Sequence, residues 1–372
     1  MIIFGMESSC DDTAAAVLDV NHTESGNEYR LLSNIVSSQT AIHAEYGGVV
    51  PEIASRAHAE QVSAVAAEAM KKAGITHSDI DAVAVTFAPG LIGSLLVGVS
   101  YAKALASALD VPLIPVNHIE AHASAAYLEY PELPESFLAL IVSGGHTSFY
   151  DVKDHVFTEI GGSRDDAAGE AFDKVGRVMG LPYPGGAAMD RLAAAGFERD
   201  DWKAIKFPSP AMNDGTLEFS FSGLKTAVIN HIHKTVQRSE AATGADLPLN
   251  VKEDIAAAFT AITVKGICAK LEEAVISNNY THIVLAGGVA ANSHLRGAAE
   301  ELCLRLGVKL CAPSLALCGD NGAMTAAAGA ALYRQGVIAD SRMNAFASDE
   351  GAMGYLAELR SRLDGSRHKN GL

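Results

Sequence analysis

Two short apolar runs, each followed by a small polar turn and a second apolar run, stand out along this 372-residue chain. The first reads Ile2-Ile-Phe-Gly-Met6, the turn Glu7-Ser-Ser-Cys-Asp11, then Thr13 to Leu18. The second reads Phe137 to Val142, the turn Ser143-Gly-Gly-His146, then Thr147 to Val152. Each predicts a hairpin whose turn exposes backbone N–H groups able to cradle phosphate oxygens. Either alone is simply a hairpin; the pair predicts duplicated α/β lobes facing each other across a cleft. Helical apolar spacing covers Ala59 to Ala73, Ser94 to Leu109, Val251 to Ser277, Ala291 to Leu306 and Gly322 to Arg334. Strands Ala82 to Thr86 and His282 to Ala286 alternate with these, as in a sheet with helices packed on it. From about Ser163 to Asn250 strands become scarce, which predicts an inserted, mostly helical subdomain ending in a polar surface loop, Ser239 to Asn250. The lobes are expected at 1–112 plus 320–345 and at 113–319. Residues 346–372, with one amphipathic segment from Tyr355 to Leu363, are expected to be peripheral.

Composition narrows the class. Half the residues are apolar (49%) and few are aromatic (6%), as in a globular enzyme rather than a disordered or fibrous chain. By inspection no segment reaches the apolar length that spans a bilayer, so no membrane partner is expected. Met1 leads straight into a strand, which reads as leaving no room for a signal peptide. The cysteines, at 10, 268, 303, 311 and 318, form no Cys-x-x-Cys pair and are odd in number. Neither a zinc knuckle nor a disulfide scaffold is indicated, and a reducing, cytoplasmic location is expected. A net charge of −16 argues against general nucleic-acid binding, and DNA is not expected as a partner. Arg164, Lys174, Arg177, Arg191, Lys203, Lys206 and Lys225 enrich one mid-chain region in positive charge, by default an ordinary solvated face.

Candidate chemistry begins at His118-Ile-Glu-Ala-His122. Two imidazoles four residues apart share a helix face and can share a metal ion. For the bare spacing, surface or cap histidines without a metal remain the default. In a zincin helix the Glu follows the first His directly. Glu120 instead falls between the two, roughly 160° around the helix from His122, so protease chemistry is not indicated. Asp320, in Cys318-Gly-Asp-Asn-Gly322, is either a helix cap or an oxygen ligand completing a His-His-Asp site suited to ferrous iron or zinc. Ala286-Gly-Gly-Val-Ala-Ala-Asn292 follows a strand and opens a helix, letting a ligand approach the backbone; Asn292 is a base or ribose partner, or a helix cap. Asp11 and Asp12 repel phosphate and better suit positioning a metal, a water or an amine, or capping the turn. Asp166, Glu170 and Asp173 lie at helical spacing with Lys174 and Arg177 following, which reads as an exposed salt-bridged helix. Phe219-Ser-Phe-Ser-Gly-Leu-Lys225 either brings a Lys to a phosphate or joins a strand to a helix.

Taken in order, Gly5 to Thr13, His43 to Glu52, Ala88 to Ser94, His118 to His122, Val142 to Thr147, Asp165 to Lys174, Tyr183 to Gly186, Phe219 to Lys225, Ala286 to Asn292 and Asp320 to Met324 resemble one family from residue 2 to about 345. The family is bacterial TsaD, once called glycoprotease or Gcp. The resemblance implies an actin-like, Hsp70-like ATPase (ASKHA) fold. It also implies transfer of a threonylcarbamoyl group from threonylcarbamoyl-AMP to the adenosine 3′ of the anticodon in tRNAs reading ANN codons. By the same resemblance His118, His122 and Asp320 bind one metal, Fe2+ in the family with Zn2+ as a substitute. Ile141, Val142, Ser143, Gly144, Gly145, Asp173, Gly186, Asp190 and Asn292 hold the adenylate. A TsaB-like paralogue and a TsaE-like ATPase are the implied partners. Asp11 is the candidate catalytic group that orients or deprotonates the adenine amine. The first turn reads Ser-Ser-Cys-Asp-Asp where Thr-Ser-Cys-Asp-Glu is usual, and Cys-Gly-Asp replaces Cys-Thr-Asp; both keep the Asp. Segments 21–29, 239–250 and the tail look like additions. A metalloprotease, an actin-like ATP-binding scaffold and a kinase of the same superfamily are the alternatives, since fold alone does not fix function.

Overall fold

Apolar runs flanked by helices become central strands because both their faces can be covered. Ala82–Ala88, for example, is buried along its whole length. In the computed structural model, which describes residues 1–23, 26–340 and 342–369, the chain divides into two units. Met1–Leu133 joins Pro313–Leu372, and Pro134–Ala312 forms the second.

The first unit is built on β1 (Ile2–Glu7), β2 (Asp12–Thr23), β3 (Gly26–Ser38), β4 (Ala82–Ala88) and β5 (Leu113–Asn117), in the order β3-β2-β1-β4-β5. β1–β2 and β2–β3 are antiparallel, whereas β1–β4 and β4–β5 are parallel. The second unit repeats this with β6 (Phe137–Val142), β7 (Thr147–Lys153), β8 (Val156–Gly162), β9 (His282–Ala286) and β10 (Lys309–Cys311). From the opposite edge its order is β8-β7-β6-β9-β10, with the same pattern of antiparallel and parallel pairs. The two predicted hairpins are therefore equivalent elements of one duplicated topology.

Helices cover the first sheet. Pro51–Ala73 starts with Pro in its first turn and stops at Gly74 in the left-handed region, the preferred residues for both ends. Gly322–Gln335 buries every residue from Gly322 to Leu332, which its run of Ala and Gly allows by letting the sheet approach closely. Ile92–Leu109 is long and apolar enough to cross a membrane, contrary to the sequence expectation that no segment is. It packs Leu95, Val99, Ala102 and Ala106 inward, and Lys103 Nζ donates to the Met343 carbonyl at 2.9 Å.

The structure departs from the sequence reading in four further places. The unit boundaries fall at 133/134 and 312/313 rather than at 112 and 319, because β5 pairs with β4 and carries 113–133 into the first unit. The tail is not peripheral: Asp349–Lys369 is a helix that buries Ala352, Leu356 and Leu359 in the first unit's core. In the presumed addition 21–29, residues 24–25 lie outside the described residues, and the rest continues β2 and opens β3, a strand the sequence reading missed. Segment 239–250 is not wholly a surface loop, since Gly244 and Leu247 are buried and Thr243 and Asp246 form a capping box. Between Ser163 and Pro248 the described residues hold helices, short 3-10 turns and two isolated bridges.

Candidate functional site

In the first unit, β5 ends at Asn117 and the chain turns directly into the helix His118–Ser124. Asn117 caps it, its Oδ1 accepting from the N–H groups of Ile119 (2.8 Å) and Glu120 (3.3 Å). The one-turn spacing brings the two imidazoles together edge-to-face, ring centroids 4.7 Å apart. Asp320, just before the buried Gly322–Gln335 helix, brings Oδ1 to 3.2 Å from His122 Nε2 and 3.7 Å from His118 Nε2. Asp320 does not cap that helix; Asn321 does, accepting from Met324 N–H at 2.9 Å. One donor atom from each of His118, His122 and Asp320 lies within 4.8 Å of the others.

Glu7, the last residue of β1, stands behind this trio fully buried. Its Oε2 accepts from Thr86 Oγ1 at 2.5 Å and lies 3.3 Å from His118 Nδ1, while Oε1 accepts from Ser9 N–H at 2.5 Å. A carboxylate on Nδ1 turns Nε2 toward the site, the usual arrangement behind a metal-binding His. Both ring nitrogens of His122 are buried without a hydrogen-bond partner. An unbonded buried imidazole opposite a carboxylate is costly unless an ion completes it, so these residues fit a divalent metal. Burial disfavours the charged form of His118, but Asp320 and Glu7 outweigh it and raise the pKa to about 9. Burial pushes the Glu7 carboxyl up, and His118 together with Ser9 brings it below its ordinary value. The corner therefore attracts positive charge strongly.

The β1–β2 turn adds acids to the same corner. Asp11 is half-buried; burial and Asp320 raise its pKa, against the Cys10 thiol and His43, which lower it. Burial pushes Asp12 up to about 7, with Ser38 opposing, and its Oδ1 is buried without a hydrogen-bond partner. Two further buried histidines shape this turn. His58 bonds Thr13 Oγ1 (2.7 Å) and the Cys10 carbonyl (2.9 Å), and His43 bonds Gln39 Oε1 (3.2 Å). Glu120, the residue out of place for a protease, is buried away from solvent. Burial raises its pKa to about 7, and Arg360 of the last helix opposes that rise.

The second unit gathers the other candidates around glycine turns. Ile141 and Val142 end β6 fully buried, and the turn is closed by Ser143 N–H donating to the His146 carbonyl at 2.7 Å. Gly144 and Gly145 are exposed. Gly287 has φ +93°, and a Cβ there would lie 2.5 Å from the Val142 carbonyl oxygen, so only glycine lets the strand ends meet this closely. Asp173 Oδ1 accepts from Gly185 N–H at 2.7 Å, at the start of the helix Gly185–Phe197, and Gly186 has open space beside it. Asp190 accepts from Ser293 N–H at 3.2 Å to each oxygen. Asn292 takes the cap position, accepting from Leu295 N–H at 2.9 Å, and opens the helix Ser293–Leu306. The structure thus links Val142 with Gly287, Asp173 with Gly185, and Asp190 with Ser293.

One sequence expectation is corrected here. Asp166 precedes the helix Ala168–Val178 rather than lying on it, and it pairs with Lys174 at 2.9 Å and with Lys225. Lys225 is therefore neutralised by Asp166, while Asp165 Oδ1 accepts from Phe221 and Ser222 N–H at the start of the helix Phe221–Gln237. Sequence reading missed Glu7, His43, His58 and Thr86 as site residues. The available signal for Glu7 was a carboxylate ending an otherwise apolar strand.

A family model described as TsaD, tRNA N6-adenosine threonylcarbamoyltransferase, matches residues 30–327. A protein of that name from Geobacter sp. (strain M21) is 50% identical over 332 residues, covering 88% of this chain and 90% of its own. The one from Clostridioides difficile (strain 630) is 46% identical, covering 93% and 97%. Among solved structures, full-length HypF in its phosphate- and nucleotide-bound form superposes with a TM-score of 0.56 at 13% identity, over 90% of this chain and 46% of that one. That likeness bears on the fold alone, which is the duplicated α/β fold of the actin-like ATPases.

Proposed function

The chain belongs to the TsaD family of tRNA N6-adenosine threonylcarbamoyltransferases, and we propose that His118, His122 and Asp320 hold the single metal ion its reaction uses. The enzyme transfers a threonylcarbamoyl group to the N6 amine of an adenosine in tRNA. In this reading the ion is Fe2+, which a His-His-carboxylate set with open positions suits, and Zn2+ can replace it. The observation that carries the reading is the buried, unbonded His122 ring 3.2 Å from Asp320, beside a His118 already turned by Glu7.

When bound, the ion supplies Lewis-acid stabilisation of charge developing on the carbamoyl carbonyl or a phosphate oxygen. The residues of this chain do the rest. Glu7 keeps His118 Nδ1 occupied, leaving Nε2 as the atom that would face a bound metal. Asp11, its carboxyl made more basic by burial, orients the adenine amine and takes its proton as the amine attacks the carbamoyl carbon. AMP leaves as the carbamoyl–phosphate bond breaks, and no covalent enzyme intermediate is needed. Threonylcarbamoyl-AMP is the donor. Ile141, Val142, Ser143, Gly144, Gly145, Asp173, Gly186, Asp190 and Asn292 form its adenylate site, supported by the exposed backbone of Gly144 and Gly145.

The target is the adenosine 3′ of the anticodon in tRNAs reading ANN codons, and the reaction takes place in the cytoplasm. A TsaB-like paralogue and a TsaE-like ATPase work with it; the charge of −16 fits a chain that borrows tRNA-binding surface from partners. The test is to incubate the protein with unmodified tRNA, threonylcarbamoyl-AMP and those partners, then analyse the digested nucleosides by mass spectrometry. Threonylcarbamoyladenosine that vanishes with His118→Ala is expected. Product at wild-type yield from that variant would refute the metal assignment.

A further inference from the structure

Resting on the metal reading above, we propose that Asp349 is a positioning residue: it fixes the metal-ligating helix by holding its cap, Asn117. His118 and His122 both ride on a seven-residue helix, His118–Ser124. A helix that short is not stable by itself, so what surrounds it sets its place. Asn117 is gripped from both ends of its amide. Its Oδ1 receives the helix N–H groups, and its Nδ2 donates to Asp349 Oδ1 at 2.7 Å. The charge-assisted bond to Asp349 locks the side chain in the orientation the cap requires.

Asp349 is held there by contacts that do not involve the metal residues. Phe346 N–H donates to the Phe87 carbonyl at 2.9 Å, and its ring meets Phe87 edge-on at 6.0 Å. The Tyr355 ring also lies 5.9 Å from that of Phe87. Gly351 sits against the Phe346 ring, where a Cβ would fall 2.6 Å from Cδ1. About one, two and three turns on from Asp349, Ala352, Leu356 and Leu359 anchor the helix in the core. Phe87 also follows Thr86, the residue bonded to Glu7. One strand thus supports both the acid that orients His118 and the tail that holds Asn117. The family model's match, residues 30–327, ends before this tail.

The experiment strips metal from the full-length protein and titrates it with Co2+, following visible absorption, with folding checked by circular dichroism. Wild type is expected to bind one Co2+ per chain. Asp349→Ala should weaken binding about ten- to a hundredfold, the usual effect of removing a group behind a metal ligand. Asp349→Asn, which keeps an acceptor, should recover most of the affinity. Asn117→Ser keeps a capping oxygen but is too short to reach Asp349, and should weaken binding as Asp349→Ala does. The double variant should then be no weaker than the single ones, because both remove the same link. Wild-type affinity in Asp349→Ala, or losses that multiply in the double variant, would overturn the positioning role alone. Should Asp349→Ala not fold, wild-type affinity in Asn117→Ser overturns it equally. Wild-type protein that binds no Co2+, or His122→Ala that binds as wild type does, would overturn the metal reading and this role with it.

Discussion

The β1–β2 turn and the β6–β7 turn occupy the same place in the same sheet order, yet their chemistry is opposite. The first is built largely from side chains: buried Glu7 and Ser9 and half-buried Asp11 and Asp12 face histidines and acids, with Glu7 bonded to Ser9, Thr86 and His118. The second is built from backbone, with Gly144 and Gly145 exposed and Gly287 pressed on Val142. Each turn is also backed closely by a glycine from a different part of the chain. A Cβ on Gly90 would fall 2.5 Å from the Ser9 carbonyl oxygen, and one on Gly169 would fall 2.5 Å from that of Ser143. The two turns lie at equivalent points of a duplicated topology, and the residues in them give one corner acids and histidines and the other exposed glycine backbone.

Substitutions should separate the two turns. The largest effect is expected from His122→Ala, which removes one of the three proposed metal ligands: activity should fall at least about a hundredfold, with the affinity for threonylcarbamoyl-AMP little changed. Steady-state kinetics and direct nucleotide binding measure these separately, and a loss in binding alone would reverse the assignment of the two turns. Asp11→Asn should lower kcat by about a hundredfold or more, the range for losing a general base, while metal content stays at the wild-type level. Unchanged turnover would remove Asp11 from the chemistry. Gly287→Ala should do the converse, raising KM for the adenylate and costing about 1–3 kcal/mol of stability in thermal or denaturant unfolding, through strain at a positive φ. If KM and stability both held, the close approach to Val142 would not matter.

The smallest effect is expected at Asp166 and is a matter of pH. Burial raises its carboxyl, but Lys225, Ser222 and Lys174 more than reverse this and hold it well below the usual range. Its folded pKa thus lies under the unfolded value of about 3.9. The stabilisation is complete above that value and is lost as pH falls through the folded pKa. Acid unfolding of Asp166→Asn should accordingly show a shallower slope than wild type below about pH 4, with catalysis at neutral pH preserved. Parallel acid-unfolding curves would show that this network adds no pH-dependent stability.

Much of the duplication could be read in the residues because strands β1, β4, β6 and β9 are continuous apolar runs, and hairpins with Ser- and Gly-rich turns have a visible local pattern. β3 and β8 were not visible. They are outer strands with mixed polar and apolar positions, and they form because a neighbour offers an edge to pair with. At the site, His118 and His122 announce themselves by helical spacing, and Asp320 by its place before a helix. Glu7 does not, since its role depends on Thr86 and His118, which are 79 and 111 residues away. The tail misled for the same reason: its polar sequence conceals three buried residues and a bond from Asp349 across 232 residues to Asn117. Long-range partners of this kind leave no local pattern.

In the proposed mechanism, transfer depends on an ion held by the acidic corner of the first unit. The most direct test is to strip the protein of metal and measure threonylcarbamoyladenosine formation as Fe2+ is added back, with metal content determined on the same samples. Negligible product is expected from the stripped protein, with activity that rises in proportion to occupancy and saturates at one ion per chain. Undiminished product formation by fully stripped, folded protein would contradict it.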